Sequence, residues 1–426
     1  MEKLKRIQPP LFPVGDISIP DVAEIRLDNN VPVFMLESGT EELVRIEFIF
    51  NAGYIKEYLP LLASTTNMML REGTVHYSAS ELNRMIDYYG VFVHFSADRD
   101  RASAIFFCLN RHLERIIELA SEILFSPVFP KEELNAMLKK RLQWFLINRA
   151  KMQNVAIDQF FESIFGKKHP YGHQVEEEDF GKISTPLLAD FHAANYTPGN
   201  MSIVIAGKIP ADSAAFLNRY FGGISGKHIY IEENAPVLSG RRQRKVHVDK
   251  PGMVQTAIRI GMATINKRHP DYTGLKVVDA ILGGYFGSRL MRNIREEKGY
   301  TYGIRSGVTS LDKSGYLVIS TETGNEHLEA AISEIYREIR LLQDEFVEKD
   351  ELETVRNYML GEMLRMFDGP FALAETFRGA LDFGLDFSYY KRFSEKIRTI
   401  DPDEIKHLAN TYYPVNRLYQ VTAGSK

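Results

Sequence analysis

The chain has 426 residues, of which 44% are hydrophobic and 25% charged, and its formal net charge is −4. This composition is typical of a soluble globular protein and excludes the disordered and fibrous classes, while the length favours two or three domains. The near balance of acidic and basic residues gives no sign of a nucleic-acid or membrane-surface partner.

The start of the chain and its single cysteine bear on localisation. MEKLKRIQPPLFPVGDISIP begins with basic residues but reaches prolines before any apolar run. It therefore lacks the apolar stretch of about 7–15 residues typical of a signal peptide, and no later segment approaches the roughly 18 apolar residues of a membrane span. Cys108 lies in the apolar run AIFFCL, which predicts a buried strand residue. We expect a cytoplasmic protein.

The first half of the chain alternates short strands with amphipathic helices. VRIEFIFNAG predicts a strand and is followed by a helix at 59–71. Ser78 and Glu81 form a predicted capping box for the next helix, which Gly90 ends. The rest comprises two strands in VFVHFSADRDRASAIFFCLN, helices in HLERIIELASEILF and KEELNAMLKKRLQWFLINRA, and a closing strand in MSIVIAG.

The second half repeats this order and shares sequence with the first. NRHLERIIEL at 110 matches NEHLEAAISEI at 325, and NYTPGNMSIVIAG matches TYYPVNRLYQVTAG. In the latter pair, Pro198 and Pro414 are 216 residues apart (414 − 198), and the other matches have similar offsets. Repeated matches at a constant offset indicate a duplicated domain.

The duplication gives the predicted architecture. We predict an N-terminal domain at 1–222, a linker at 223–245 rich in Gly, Ser and charge, and a C-terminal repeat at 246–426. Hairpin-linked strands with intervening helices predict an α+β fold. Each domain is expected to hold an antiparallel sheet with helices packed mainly on one face, and the two domains to form a bilobed body around a cleft.

The helix in LLASTTNMMLREGT, residues 61–74, spaces Ser64, Asn67 and Met68 at i, i+3 and i+4. This is the spacing at which a zinc-binding helix presents its ligands. However, Ser64 is a poor zinc ligand, Asn67 cannot act as a base, and Met68 is a soft thioether. By residue chemistry alone this is a packing helix.

The segment GGYFGSRLMRNIREEKGYTYGI, from Gly283, contains a second candidate site. It predicts a helix that Gly299 ends and a strand that begins near YTYGI. Arg295 and Tyr302 lie seven residues apart across this junction, where both could donate hydrogen bonds to a peptide carbonyl or carboxylate. The alternative is a solvated arginine and a tyrosine packed in the sheet.

HPYGH carries His169 and His173 at i, i+4, but its proline and glycine argue against a helical metal pair.

These features together resemble the inverted zincins, the insulinase and mitochondrial-processing-peptidase family. Active members carry H-x-x-E-H on this helix immediately before Met-Leu-x-x-Gly-Thr. In this chain the two histidines fall on Ser64 and Met68 and the glutamate on Asn67, in a degenerate zinc helix at 61–72. The family's third ligand, a glutamate, belongs to the later helix MLKKRLQWFLIN, yet residues 135–157 contain no Asp or Glu.

The resemblance covers nearly the whole chain, and it implies a non-catalytic subunit. The family's R-x6-Y pair, which holds the substrate backbone or stabilises the tetrahedral intermediate, matches Arg295 and Tyr302. We expect no metal or cofactor in this chain, zinc in a homologous partner subunit, and a peptide or unfolded polypeptide as substrate. The alternative that the resemblance leaves open is a non-enzymatic scaffold or peptide-binding protein with the peptidase fold.

Overall fold

A computed structural model gives the fold and describes residues 14–15, 17–226 and 240–425. The strands are β1 (Ala23–Arg26), β2 (Pro32–Glu37), β3 (Leu43–Phe50), β4 (Phe92–Ala97), β5 (Ala102–Leu109), β6 (Met201–Gly207), β7 (Lys245–Asp249), β8 (Gln255–Thr264), β9 (Ile304–Leu311), β10 (Ser314–Gly324) and β11 (Tyr419–Gly424). The α-helices are α1 (Leu62–Met69), α2 (Ala79–Tyr88), α3 (Leu113–Phe125), α4 (Lys131–Arg149), α5 (Met152–Phe165), α6 (Thr185–Asn195), α7 (Ser213–Leu217), α8 (Tyr272–Asp279), α9 (Leu328–Asp344), α10 (Lys349–Met366), α11 (Pro370–Leu381), α12 (Ser388–Thr399) and α13 (Pro402–Tyr412).

The strands form two sheets with the same topology. The first has the order β1-β2-β6-β3-β5-β4 and the second β7-β11-β8-β10-β9. Apart from the additional edge strand β1, each strand of the first sheet has a counterpart in the second. The α+β prediction with two homologous halves is confirmed. The boundaries at 222 and 246 stay predictions, since much of the linker lies outside the described residues.

Each sheet contains one parallel pair, which the prediction of antiparallel sheets did not include. β2 pairs with β6 and β7 pairs with β11 in the parallel sense, while the other described pairs are antiparallel. The cause is that the last strand of each half, β6 or β11, follows a long helical connection and inserts next to β2 or β7, running in the same direction. Parallel neighbours need such a long crossover.

The periodic segments fold as their patterns predict. In α3, the residues that face the sheet recur at three- and four-residue intervals, from Leu113 through Ile116 and Ile117 to Ala120. The capping box at the start of α2 is present: Ser78 N–H donates to Glu81 Oε2 at 2.9 Å, and Glu81 N–H donates to Ser78 Oγ at 3.3 Å. None of the helices in the described ranges combines the length and apolar character needed to cross a bilayer.

Most helices cover one face of each sheet, and the opposite face receives a helix from the other half. α11, from the second half, packs on β2 and β6, with the Phe377 ring 5.1 Å from that of Phe34. In return α5, from the first half, packs on β8 and β11, where Phe165 shares an apolar cluster with Val421. This exchange interlocks the two halves.

A buried charge cluster adds to the contact between the halves. Glu47 on β3 is fully buried, and Arg45 Nη2 donates to its Oε2 at 2.6 Å. Arg378 of α11 places Nη1 2.7 Å from Glu47 Oε1, as an ion pair without the alignment of a hydrogen bond. One carboxylate therefore serves two guanidinium groups from opposite halves. Such a group is costly to bury without its partners.

Candidate functional site

The start of α1 is fixed by strained backbone and by a carboxylate. Leu61, directly before the helix, has a φ of 73°, a left-handed conformation that is unfavourable for residues other than glycine. Glu57 Oε2 accepts a hydrogen bond from the Ala63 N–H at 3.0 Å, which satisfies one of the free amides at the helix start. Burial raises the pKa of Glu57 to about 7, although the Ala63 amide and the Arg141 guanidinium act to lower it.

Arg141 of α4 reaches across to the first position of the degenerate zinc helix. Its Nη2 donates to Ser64 Oγ at 2.8 Å and its Nη1 to Thr65 Oγ1 at 2.6 Å. Both acceptors are neutral, and no carboxylate oxygen of a described residue lies within 4.0 Å of this guanidinium. Burial lowers the pKa of Arg141, whereas Tyr54 and Glu57 act to raise it. A largely buried cation thus faces position 64.

The three degenerate positions do not converge on one point. Ser64 and Met68 line a cavity, whereas Asn67 is fully buried in the core. Asn67 Nδ2 donates to the Tyr196 hydroxyl at 3.1 Å and to the Ser103 carbonyl at 3.4 Å. Successive helical residues project about 100° apart, so Asn67 and Met68 point in different directions. Asn67 is therefore a packing residue.

The cavity has a volume of about 830 Å³ and lies between α1 and α4 on one side and α5 on the other. Its apolar lining includes Met68, Met137 and Trp144, and the Trp144 side chain is 69% exposed. The charged side chains in the lining are Arg71, Arg99, Lys140, Arg141, Arg149, Glu57, Glu72, Glu133 and Asp158. Burial raises the pKa of Asp158 to about 6, and Arg99 acts to lower it. All of the lining residues belong to the first half, and one of the lining helices, α5, also packs on the second sheet.

The residues present do not fit a zinc ion. A zinc site needs three or four histidine, cysteine or carboxylate ligands, and a hydroxyl, a thioether and a guanidinium do not provide them. Within residues 14–15, 17–226 and 240–425, no group of three or more His, Cys, Asp or Glu side chains is placed to hold a metal ion. Arg141 also brings a positive charge to the position where a metal would be bound.

His169 and His173 do not form a pair. They lie in a turn and not in a helix, with His169 buried and its Nδ1 accepting from the Tyr171 N–H at 3.0 Å, while His173 is exposed.

Arg295 and Tyr302 lie away from this cavity. Arg295 is on the helical segment Met291–Glu297, with its guanidinium carbon 4.8 Å from the centre of the Phe286 ring. The Tyr302 side chain is 92% exposed and lines a second cavity of about 500 Å³. No described contact joins the two side chains, so whether they act together stays a prediction.

The arginines that share the second cavity with Tyr302 are Arg259 and Arg305. Burial and the positive charge of Arg305 lower the pKa of Arg259. Gln153 of α5 also lines this cavity and donates to Glu322 Oε2 at 2.6 Å. Helix α5 therefore borders both cavities, with Asp158 in the first and Gln153 in the second.

Sequence reasoning missed Arg141, Glu57 and Arg259. The available signal for Arg141 was its position in the acid-free stretch at 135–157, on the helix where the resemblance expects a carboxylate. Glu57 and Arg259 gave no sequence signal, because their importance depends on burial.

Comparison with known proteins supports the resemblance. The family model for the peptidase M16 inactive domain matches residues 182–359, which include Arg295 and Tyr302 and exclude α1. The uncharacterized zinc protease YmxG of Bacillus subtilis (strain 168) is 23% identical over 306 residues, covering 70% of this chain and 72% of that protein. The same organism's "Probable inactive metalloprotease YmfF" is 23% identical over 276 residues, covering 62% of this chain and 63% of that protein.

The fold is also that of a solved structure. The crystal structure of a peptidase M16 inactive domain from Pseudomonas fluorescens superposes with a TM-score of 0.86 at 22% identity, covering 96% of this chain and 98% of that chain. At this identity the likeness shows the shared fold alone. Residues 182–359 match the peptidase M16 inactive domain, and the chain as a whole has the fold of that domain's solved structure. The chain is therefore similar to peptidase M16 homologues, and its helix at 61–72 lacks the H-x-x-E-H motif of active zinc peptidases of this type.

Proposed function

We propose that this chain is the zinc-less subunit of a two-chain metallopeptidase. It binds the peptide substrate and supplies Arg295 and Tyr302 to the active site of a homologous, zinc-bearing partner. The observation that carries this proposal is the Tyr302 side chain, which is 92% exposed and makes no described hydrogen bond. A phenol at the edge of a cavity without an internal partner is free to donate to a group from another molecule.

The chemistry in this proposal is divided between the subunits. In the partner, the H-x-x-E-H helix would hold a zinc ion, which would supply the activation of the water for attack on the peptide carbonyl. A phenol O–H and a guanidinium can each donate a hydrogen bond to the oxygen of the tetrahedral intermediate, where negative charge develops. The neighbouring Arg259 and Arg305 add positive charge around Tyr302. The single buried cysteine is compatible with the reducing cytoplasm, where we expect the pair to act.

The test combines this chain with a zinc-bearing homologue from the same source and measures cleavage of a quenched fluorescent peptide. Tyr302→Phe and Arg295→Ala are each expected to lower turnover by roughly tenfold or more, since loss of one oxyanion donor costs about 10²–10³ in the strongest cases. Two control variants remove similar groups elsewhere. Tyr88→Phe alters another exposed tyrosine, on α2, and Arg292→Ala removes a neighbouring arginine whose side chain is 55% exposed.

The proposal is contradicted if the mixture needs both chains for activity and neither Tyr302→Phe nor Arg295→Ala lowers the cleavage rate.

A scaffold or peptide-binding protein without a catalytic role is the second candidate. One observation favours it: Arg295 stacks on Phe286 and has no described contact with Tyr302. Under this alternative the partner cleaves peptide at the same rate with and without this chain, although the two chains still associate in analytical ultracentrifugation.

A further inference from the structure

Arg141 is a largely buried guanidinium whose described partners are two neutral hydroxyls. Two other arginines that are largely buried, Arg45 and Arg289, have carboxylate partners. Arg45 donates to Glu47, and Arg289 donates through two nitrogens to Glu351 at 2.9 and 2.7 Å. Removing a charge from water is costly unless an opposite charge compensates it. Arg141 therefore lies in a setting that favours an anionic ligand.

The guanidinium also retains capacity for further hydrogen bonds. It carries five N–H donors, and the hydroxyls of Ser64 and Thr65 use two of them. Arg141 is part of the lining of the 830 Å³ cavity. A planar guanidinium with free donors on a cavity wall is suited to a carboxylate, which accepts two parallel hydrogen bonds.

The wall beside Arg141 is apolar and open. Trp144, one turn along α4, lines the same cavity and is 69% exposed. Met68 and Met137 complete the apolar side. A cavity of several hundred Å³ whose lining combines apolar side chains with charged groups is typical of a site for an organic ligand, and it exceeds what a small inorganic anion needs.

We infer that this cavity binds a peptide through a carboxylate, which Arg141 holds while an adjacent apolar side chain of the peptide packs on Trp144. The carboxylate is either the peptide's C-terminus or an Asp or Glu side chain. The acidic side chains in the lining repel a carboxylate ligand, but one of them, Glu57, already accepts a hydrogen bond from the Ala63 N–H. The inference rests on the peptide binding in the proposed function and specifies where and how the peptide is held, and it uses neither Arg295 nor Tyr302.

Trp144 provides the readout, since it is the only tryptophan of the chain. Three apolar hexapeptides are titrated into the purified chain: one with a free C-terminus, one amidated, and one amidated with a single internal Glu. At least one carboxylate-bearing peptide is expected to change the Trp144 emission saturably, and the amidated acid-free peptide is not. Which acidic peptide binds identifies the source of the carboxylate. Acetate at the same concentration is expected to leave the emission unchanged.

Three variants test whether Arg141 holds the carboxylate of the peptide. Arg141→Gln removes the charge and is expected to raise the Kd by ~30-fold or more, the loss associated with removing one partner of a desolvated charge pair. Ser64→Asp keeps Arg141 but places a carboxylate beside it, and is expected to block binding even if Arg141→Gln impairs folding. Lys139→Gln, an exposed cation on the same helix outside the cavity lining, is expected to bind as the unaltered chain does.

The inference is overturned if none of the peptides binds, if the amidated acid-free peptide binds as tightly as the acidic ones, or if folded Ser64→Asp retains full affinity. Circular dichroism establishes that each variant is folded. Because the partner subunit is absent, these outcomes leave the proposed role of Arg295 and Tyr302 untouched.

Discussion

Placing histidines back at positions 64 and 68 is expected to produce a chain that still does not retain zinc. Ser64 and Met68 both line the cavity, so imidazoles there face the same space. The obstacle is Arg141, whose Nη2 lies 2.8 Å from Ser64 Oγ. The double variant Ser64→His/Met68→His thus offers two ligands beside the positive charge of Arg141, which keeps its hydrogen bond to Thr65 Oγ1.

The size of this obstacle follows from the geometry. With Zn–N bonds of about 2 Å, a zinc ion held at these positions would lie roughly 4 Å from the guanidinium. Two unit charges at that distance interact by about 4 kcal/mol at an effective dielectric constant of about 20, so a divalent ion is repelled by about 8 kcal/mol. Since each 1.4 kcal/mol is a factor of ten, the repulsion weakens zinc binding by roughly five to six orders of magnitude.

Adding Arg141→Glu removes the repulsion and supplies a carboxylate as third ligand. The triple variant Ser64→His/Met68→His/Arg141→Glu is expected to hold one zinc per chain after dialysis, whereas the double variant is not. Lys139→Glu in place of Arg141→Glu makes the same charge change outside the cavity and is expected to leave zinc unbound. Elemental analysis measures the ratio. Stoichiometric zinc in the double variant would refute the reasoning that Arg141 excludes the metal.

Two further predictions concern stability. Glu47→Ala is expected to lower the free energy of unfolding in urea by about 3–5 kcal/mol, because Arg45 and Arg378 lose their shared partner. The control Glu118→Ala removes a surface ion pair with Arg115 and should lower it by no more than about 1 kcal/mol. Equal effects of the two variants would contradict the structural role of the buried charge cluster. Glu57→Gln is expected to gain stability relative to the unaltered chain as the pH rises from about 5 to 8, by at most about 3 kcal/mol. The pKa of Glu57 in the fold, about 7, lies above its unfolded value, so the ionised carboxylate destabilises the fold, and a pH-independent difference would contradict this.

Much of the fold could be predicted because periodicity reports which face is buried. Two strand-forming segments joined by a charged turn predicted β4 and β5. The residues Ser78, Glu81 and Gly90 located both ends of α2, where Gly90 adopts a φ of 62°. The helix predicted at 59–71 is shorter, from Leu62 to Met69, because Leu61 takes a left-handed conformation that the pattern does not reveal.

The exchange of helices could not be predicted. An amphipathic pattern shows that α5 and α11 bury one face, but it does not show that each covers the sheet of the opposite half. The same limit applies to the site. The sequence shows that Ser64 and Met68 are poor ligands, but the contact that places a positive charge at position 64 joins Ser64 to Arg141, 77 residues away. Likewise, Asn67 has the spacing of a site residue, and only its burial against Tyr196 shows that it packs.

The most direct test of the central claim is the zinc content and peptidase activity of this chain purified alone. The protein is dialysed against zinc, freed of unbound metal, and analysed for its zinc-to-protein ratio together with cleavage of a quenched peptide. The altered ligand positions and Arg141 predict a ratio far below one zinc per chain and no cleavage until a zinc-bearing homologue is added. One tightly bound zinc per chain, with peptide cleavage by the chain alone, would contradict the account.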